Sequence, residues 1–211
     1  MKVFVIHYSK LVERKQHILD QFQKQNITNF EFVEKYDQED LQPADLQLFQ
    51  GLKKSVISLL LKHFHVYKFI AESHQHALIL EDDVVLAPNF VDLFKKYTQQ
   101  LPQTYDLLFL GNGCNLHIEK KSLIPGRHVY RKGLTPTSWG GNGATRCTDS
   151  YMISQKCAAR LCAYLKTLQR IQLPSDWWLN EACRDNHLEV YWAEPTIVSQ
   201  GTESGLFKSS I

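Results

Sequence analysis

The run Leu78-Ile79-Leu80-Glu81-Asp82-Asp83-Val84-Val85-Leu86 constrains this chain more than any other stretch, because a short apolar strand ends in three consecutive carboxylates. Burying the apolar residues is favourable, whereas burying three anions beside them is not. The acids must therefore lie where the strand leaves its sheet, in the crevice where open α/β sheets bind ligands. A divalent cation is the natural partner there.

The flanking segments supply such a sheet. Val3-Phe4-Val5-Ile6 reads as a strand, Leu11, Ile18, Leu19 and Phe22 recur near a 3.6 period, and Phe30-Glu31-Phe32-Val33 reads as a second strand. This is the opening β-α-β of a parallel sheet. From Val56, an apolar face of Leu59, Leu60, His63, Phe64, Tyr67 and Ile70 predicts a long helix leading to the acidic strand, with Lys54, Lys62 and Lys68 largely off that face. Asn89 is a candidate cap for a helix carrying Phe90, Leu93, Phe94, Tyr97 and Leu101, and residues 106–111 form the next strand. Residues 111–148 hold seven of the ten glycines and read as long loops around a short strand near Val129-Tyr130. A helix capped by Ser154, a short helical segment over 176–183 and a last strand over 188–192 complete the pattern. With 211 residues, 44% of them hydrophobic, and no linker or repeat, residues 1–211 are read as one domain.

Charge and cysteine usage narrow the class. A net charge of +2 with dispersed lysines and arginines gives no nucleic-acid footprint. The longest apolar runs fall far short of the ~20 residues of a membrane span, and the N-terminus reads as a strand, not a signal peptide. Five cysteines without a C-x-x-C pair fit free thiols in a reducing compartment, with Cys157 and Cys162 packing on a helix. A cytoplasmic protein is expected.

A β-α-β half joined to a strand ending in adjacent acids suggests a nucleotide diphosphate held by a metal, since hard divalent ions take carboxylate and phosphate oxygens. Asp83 is the candidate metal ligand. Glu81 shares its face by strand alternation and is a second ligand candidate, while Glu81 or Asp82 is placed to bond a ribose or sugar hydroxyl. The plainer alternative is a solvated acidic turn that merely ends a strand.

These residues resemble the family 25 glycosyltransferases, which include bacterial lipooligosaccharide and procollagen galactosyltransferases. The likeness begins with the first strand and Glu13-Arg14, continues through residues 55–63, and is strongest at Ala77-Leu78-Ile79-Leu80-Glu81-Asp82-Asp83-Val84. It extends through residues 106–111, 151–154, Asp176, Val190-Tyr191, Pro195, Val198, Gln200, Ser204 and Ile211. The resemblance implies a GT-A fold, that is, a mostly parallel central α/β sheet flanked by helices. It also implies a nucleotide-sugar donor, usually a UDP-sugar, dependence on Mn²⁺ (or Mg²⁺), and inversion at the anomeric carbon. The acceptor would be a hydroxyl of a glycan or glycosylated protein.

One departure stands out: Lys62 replaces the serine that the family places before His63, and is read either as a phosphate contact or as a solvated helix lysine. His63 is listed for its match to the family's Ser-His position, although its apolar face also suits a core histidine. His7, Tyr8 and Ser9 follow the first strand where a nucleotide would sit, and Arg14 would neutralise phosphate or form a surface ion pair. Asp176, at a predicted helix start that favours its ionised form, is the candidate base, with Asp149 and Glu181 in reserve. Trp177 and Trp178 would stack on a sugar or pack in the core. Together these point to a hexosyltransferase using UDP-galactose or UDP-glucose, in a bacterial or viral setting. A nucleotidyltransferase and a non-catalytic nucleotide- or glycan-binding module are the alternatives.

Overall fold

In the computed structural model, residues 1–134 and 143–208 are described. Part of the long loop region and Ile211 of the family's closing pattern lie outside them. A seven-stranded sheet has the order β2 (Phe30–Val33), β1 (Lys2–Ile6), β3 (His76–Glu81), β7 (Ser150–Ser154), β5 (Leu107–Phe109), β8 (Val190–Ala193), β6 (Val129–Lys132). Strands β1, β2 and β3 pair in parallel, as do β5 and β8, whereas β7 and β6 run antiparallel to their neighbours. Five strands thus point one way, the mostly parallel α/β sheet that the sequence predicts.

Period-two alternation divides the sheet between two cores. Phe4, Ile6, Ile79, Phe109 and Tyr151 face α3 (Lys54–Ser73), α5 (Gln155–Leu165) and α6 (Ser175–Asp185). Val3, Val5, Leu78, Leu80 and Met152 face α1 (Val12–Lys24) and α4 (Phe90–Thr98). Strands with both faces covered read as continuous apolar runs, which is why β1 and β3 are plain in the sequence. Ser154 caps α5 as expected, accepting a bond from the Cys157 N–H at 3.1 Å, whereas Asn89 occupies the cap position of α4 without a side-chain bond.

Four elements escape the sequence pattern. β7 is inserted antiparallel between β3 and β5; α2 (Pro43–Leu46) is a single turn; β4 (Val84–Leu86) and β9 (Val198–Gln200) form a separate two-stranded sheet. That small sheet returns the chain end to the acidic motif, where the Gly201 N–H bonds the Asp83 carbonyl at 2.6 Å. Among the described residues, no helix is long and apolar enough to cross a membrane.

Candidate functional site

The carboxyl ends of β1 and β3, the start of β7 and the N-terminus of α6 meet at one edge of the sheet. β3 ends at Glu81, Asp82 and Asp83 form a turn, and β4 begins at Val84. Alternation therefore stops at Glu81, and the three acids take separate partners.

Asp82 is buried and fully engaged. It accepts bonds from Arg14 Nη1 and His7 Nδ1, both at 2.8 Å. Burial alone would raise its pKa, but the bonds to His7 and Arg14 outweigh that and hold the carboxyl below its ordinary range. An ionised carboxylate only accepts, so Nδ1 of His7 carries the proton. Arg14 is buried rather than at the surface; its second arm donates to the Lys208 carbonyl at 2.6 Å, and its guanidinium lies over the Phe207 ring. Asp82 thus anchors the loop after β1 and residues 207–208 through Arg14, while lining the opening beside Glu81.

Lys62 overturns the solvated reading of its position. At 2% exposure it is buried, and its Nζ donates to the Asp37 carboxylate and the His7 carbonyl. It is not solvated: its charge is taken up by Asp37, and its side chain lies in the wall of the opening. Asp37 also accepts from the backbone and hydroxyl of Ser9, and Tyr8 donates its hydroxyl to Glu39. His63 is a hydrogen-bonded core residue, with Nδ1 2.8 Å from the Tyr151 hydroxyl, while its Nε2, without a hydrogen bond among the described residues, lies 3.7 Å from Glu81 Oε1.

Glu81 lines the opening, and Asp83 is buried in the turn beside it. Glu81 accepts from the Thr148 hydroxyl at 2.9 Å, and Thr148 in turn lies 2.8 Å from the Ser175 hydroxyl. Asp83 accepts from the Thr202 hydroxyl through Oδ2, while its buried Oδ1 has no partner among the described residues. Burial, reinforced by the charge of Glu81, pushes Asp83 above the usual carboxylate range. Two residues that sequence reasoning left aside complete the group: Thr202, and Asp149, which had been only a reserve base. Asp149 is fully buried, accepts from Ser150 at 3.0 Å and has an Oδ1 with no partner among the described residues.

Burial first, then the charges of Glu81 and Asp83, push Asp149 well above its usual range. A carboxyl with a raised folded-state pKa is bound to its proton more tightly in the fold, so stability falls as pH rises from the ordinary value near ~3.9 through the raised one. Without divalent metal, Asp149→Asn is expected to become more stable than wild type across that window, by about 1–3 kcal/mol. Urea titrations at a series of pH values check this; the two proteins should converge below the ordinary carboxylate pKa.

Mutually repelling carboxylates with a spare buried oxygen suit a hard divalent cation. No three His, Cys, Asp or Glu residues that could hold a metal ion converge among the described residues. Glu81 lines two lobes of the opening. One is walled by His7, Tyr8, Gln38, Ser58 and Lys62, the other by Leu59, Thr148, Ser175, Asp176 and Gln200. Asp176 sits half-buried in the first turn of α6, where burial and then Glu81 raise its pKa while the Trp177 N–H, 2.9 Å away, opposes the rise. Trp177 is 58% exposed, whereas Trp178 packs in the core. Glu181 lies further along α6, in an ion pair with Arg184. A larger cavity of about 650 Å³, at the opposite edge of the sheet around Asn29, His76 and Phe94, has no carboxylate in its wall.

The model of glycosyltransferase family 25 (LPS biosynthesis protein) matches residues 1–179. The chain is 32% identical over 124 residues to glycosyltransferase R655 of Acanthamoeba polyphaga mimivirus, a match covering 54% of this chain and 38% of that protein. It is 24% identical over 200 residues to the procollagen lysyl hydroxylase and glycosyltransferase of the same virus, covering 83% of this chain and 21% of that one. These matches thus span well under half the length of either relative. Among solved structures, a 4-diphosphocytidyl-2C-methyl-D-erythritol synthase from Anaerococcus prevotii aligns with a TM-score of 0.44 at 12% identity, over 97% of this chain and 75% of that one. A glycosyltransferase involved in glycosylation of the major capsid of PBCV-1 aligns with a TM-score of 0.40 at 10% identity, over 92% and 93%.

Proposed function

Because the chain belongs to glycosyltransferase family 25, we propose that its crevice transfers galactose or glucose from a UDP-sugar to a hydroxyl of a glycan or glycosylated protein, with inversion. The observation that carries this reading is the meeting of Glu81 and Asp176 in one opening, with the buried carboxyl of Asp83 close enough for the charge of Glu81 to raise it. Asp176 takes the proton of the acceptor hydroxyl as that oxygen attacks the anomeric carbon. The new carbon–oxygen bond forms on the face opposite the breaking bond to the diphosphate. Asp83 and Glu81 would hold Mn²⁺ or Mg²⁺, which supplies charge neutralisation for the departing diphosphate. Tyr8 and Gln38 frame the donor lobe, and exposed Trp177 offers the acceptor a flat apolar face beside the base.

Lys62, Asp82 and Arg14 act by positioning, since their charges are taken up within the protein. The two lobes enclose about 60 and 180 Å³, below the roughly 300 Å³ at which ligand cavities begin. Both curated relatives are mimivirus proteins, which favours a viral glycosylation setting, and the name of the second makes a collagen-like peptide one acceptor to try.

The test is turnover. Incubation with UDP-, GDP- and CDP-sugars and Mn²⁺, with glycan and hydroxylysine-peptide acceptors, is expected to release one nucleoside diphosphate with a matching glycosylated product. Consumption of a nucleoside triphosphate with a sugar phosphate would favour the nucleotidyltransferase instead.

A further inference from the structure

The loops that frame the acidic crevice carry a pair of groups that the transfer chemistry does not use. Cys114 and Cys147 are 33 positions apart, yet their Sγ atoms meet at 3.5 Å. Cys114 is exposed and Cys147 half-buried. The approach depends on an intervening glycine, because a Cβ at Gly113 would meet Cβ and Sγ of Cys147 at 2.8 Å. Both cysteines also hold left-handed backbone, with φ of 55° and 60°, a conformation that side chains disfavour. Two tight loops are thus shaped so that their thiols touch.

We propose that Cys114 and Cys147 are a site of oxidative modification, closing to a reversible disulfide that ties residues 111–116 to residues 143–149. A small disulfide such as oxidised glutathione serves as the oxidant. The exposed Cys114 thiolate attacks one glutathione sulfur and releases a glutathione thiolate, forming a mixed disulfide. Cys147 then attacks the Cys114 sulfur and displaces the second glutathione. In balance, two protein thiols lose two hydrogens and two electrons, and one glutathione disulfide becomes two thiols. Cys114 is exposed and Cys147 half-buried, so Cys114 is the first to meet the oxidant and Cys147 the one that resolves. Closing the bond draws the sulfurs from 3.5 Å to about 2.05 Å, within reach of side-chain rotation and a small loop shift.

The tether would bear on the crevice from both sides. Cys147 precedes Thr148, whose hydroxyl bonds Glu81. The Cys114 N–H donates to Glu203 Oε1 at 2.9 Å, next to Thr202, whose hydroxyl bonds Asp83.

The experiment is thiol counting and peptide mapping on the full chain treated with oxidised glutathione under native conditions, with no need of transfer activity. The expected result is loss of two of the five thiols, a Cys114–Cys147 cross-linked peptide, and full return of both thiols with dithiothreitol. Cys147→Ser should stop at a glutathione adduct on Cys114, and Cys114→Ser should give no cross-link. Five unchanged thiols, a stable adduct on wild-type Cys114 without closure, or a cross-link between the buried Cys157 and Cys183 would each overturn the proposal.

Discussion

Asp176→Asn is expected to lower transfer by about 10²–10⁴-fold, the contribution of a positioned general base, while leaving donor binding intact. Asparagine keeps an oxygen to accept the Trp177 N–H, so the start of α6 is preserved and the lost function is proton acceptance. The pH profile separates this role from a structural one. Burial and the charge of Glu81 raise the Asp176 pKa, and a base works only when deprotonated. Wild-type transfer should therefore climb with pH through a value above the ordinary ~3.9 of an aspartate; the residual activity of the variant should lack that limb. An unchanged rate would assign the base elsewhere, with Asp149 and Glu181 next to be tried.

Lys62→Ala is expected to destabilise the fold by about 3–5 kcal/mol, the usual result of removing one partner from a buried ion pair. The loss leaves Asp37 buried without its cation and the His7 carbonyl without a donor. Burial on its own would raise Asp37, but the bonds to Lys62 and Ser9 bring it below its usual range. A depressed carboxylate pKa stabilises the fold above the unfolded-state value, and that stabilisation is lost as pH falls through the folded-state value. The cost of Lys62→Ala should accordingly be full at neutral pH and shrink in acid. Adding Asp37→Asn should recover part of it, because the uncompensated charge is removed. Chemical denaturation of the single and double variants measures both effects.

The Lys62 result shows what a linear sequence conveys and what it withholds. Its place off the apolar face of a helix suggests solvent, yet a partner 25 residues earlier folds over it, and no periodicity carries that information. The acidic motif was legible as the end of an apolar strand, but solvation does not place its acids: Asp82 and Asp83 are buried, held by Arg14, His7 and Thr202. The division of labour within it was not legible. Strand alternation assumes the strand continues, whereas β3 stops at Glu81 and the turn sends Asp82 to Arg14 and His7 and Asp83 to Thr202.

β1, β2 and β3 were readable as compact apolar and aromatic runs. β4 and β9 are three residues each and too short for any period to register. The Tyr151-Met152-Ile153 run was a usable sign of β7, but its antiparallel insertion, which carries Asp149 to the crevice, is a property of the assembled sheet. The contact between Cys114 and Cys147 likewise depends on two loops meeting across Gly113.

The most direct test of the central claim, that the acidic crevice binds a nucleotide-sugar donor together with a divalent metal, is thermal unfolding with UDP, GDP, CDP and their sugars, with and without Mn²⁺, on wild type and Asp83→Ala. Ligand at ~100 times its dissociation constant stabilises the folded state by about 2.7 kcal/mol, which moves the midpoint by several degrees for a chain of this size. The account predicts a Mn²⁺-dependent rise with uridine ligands that Asp83→Ala abolishes. No rise with any nucleotide at millimolar concentration, or an equal rise in Asp83→Ala, would contradict it.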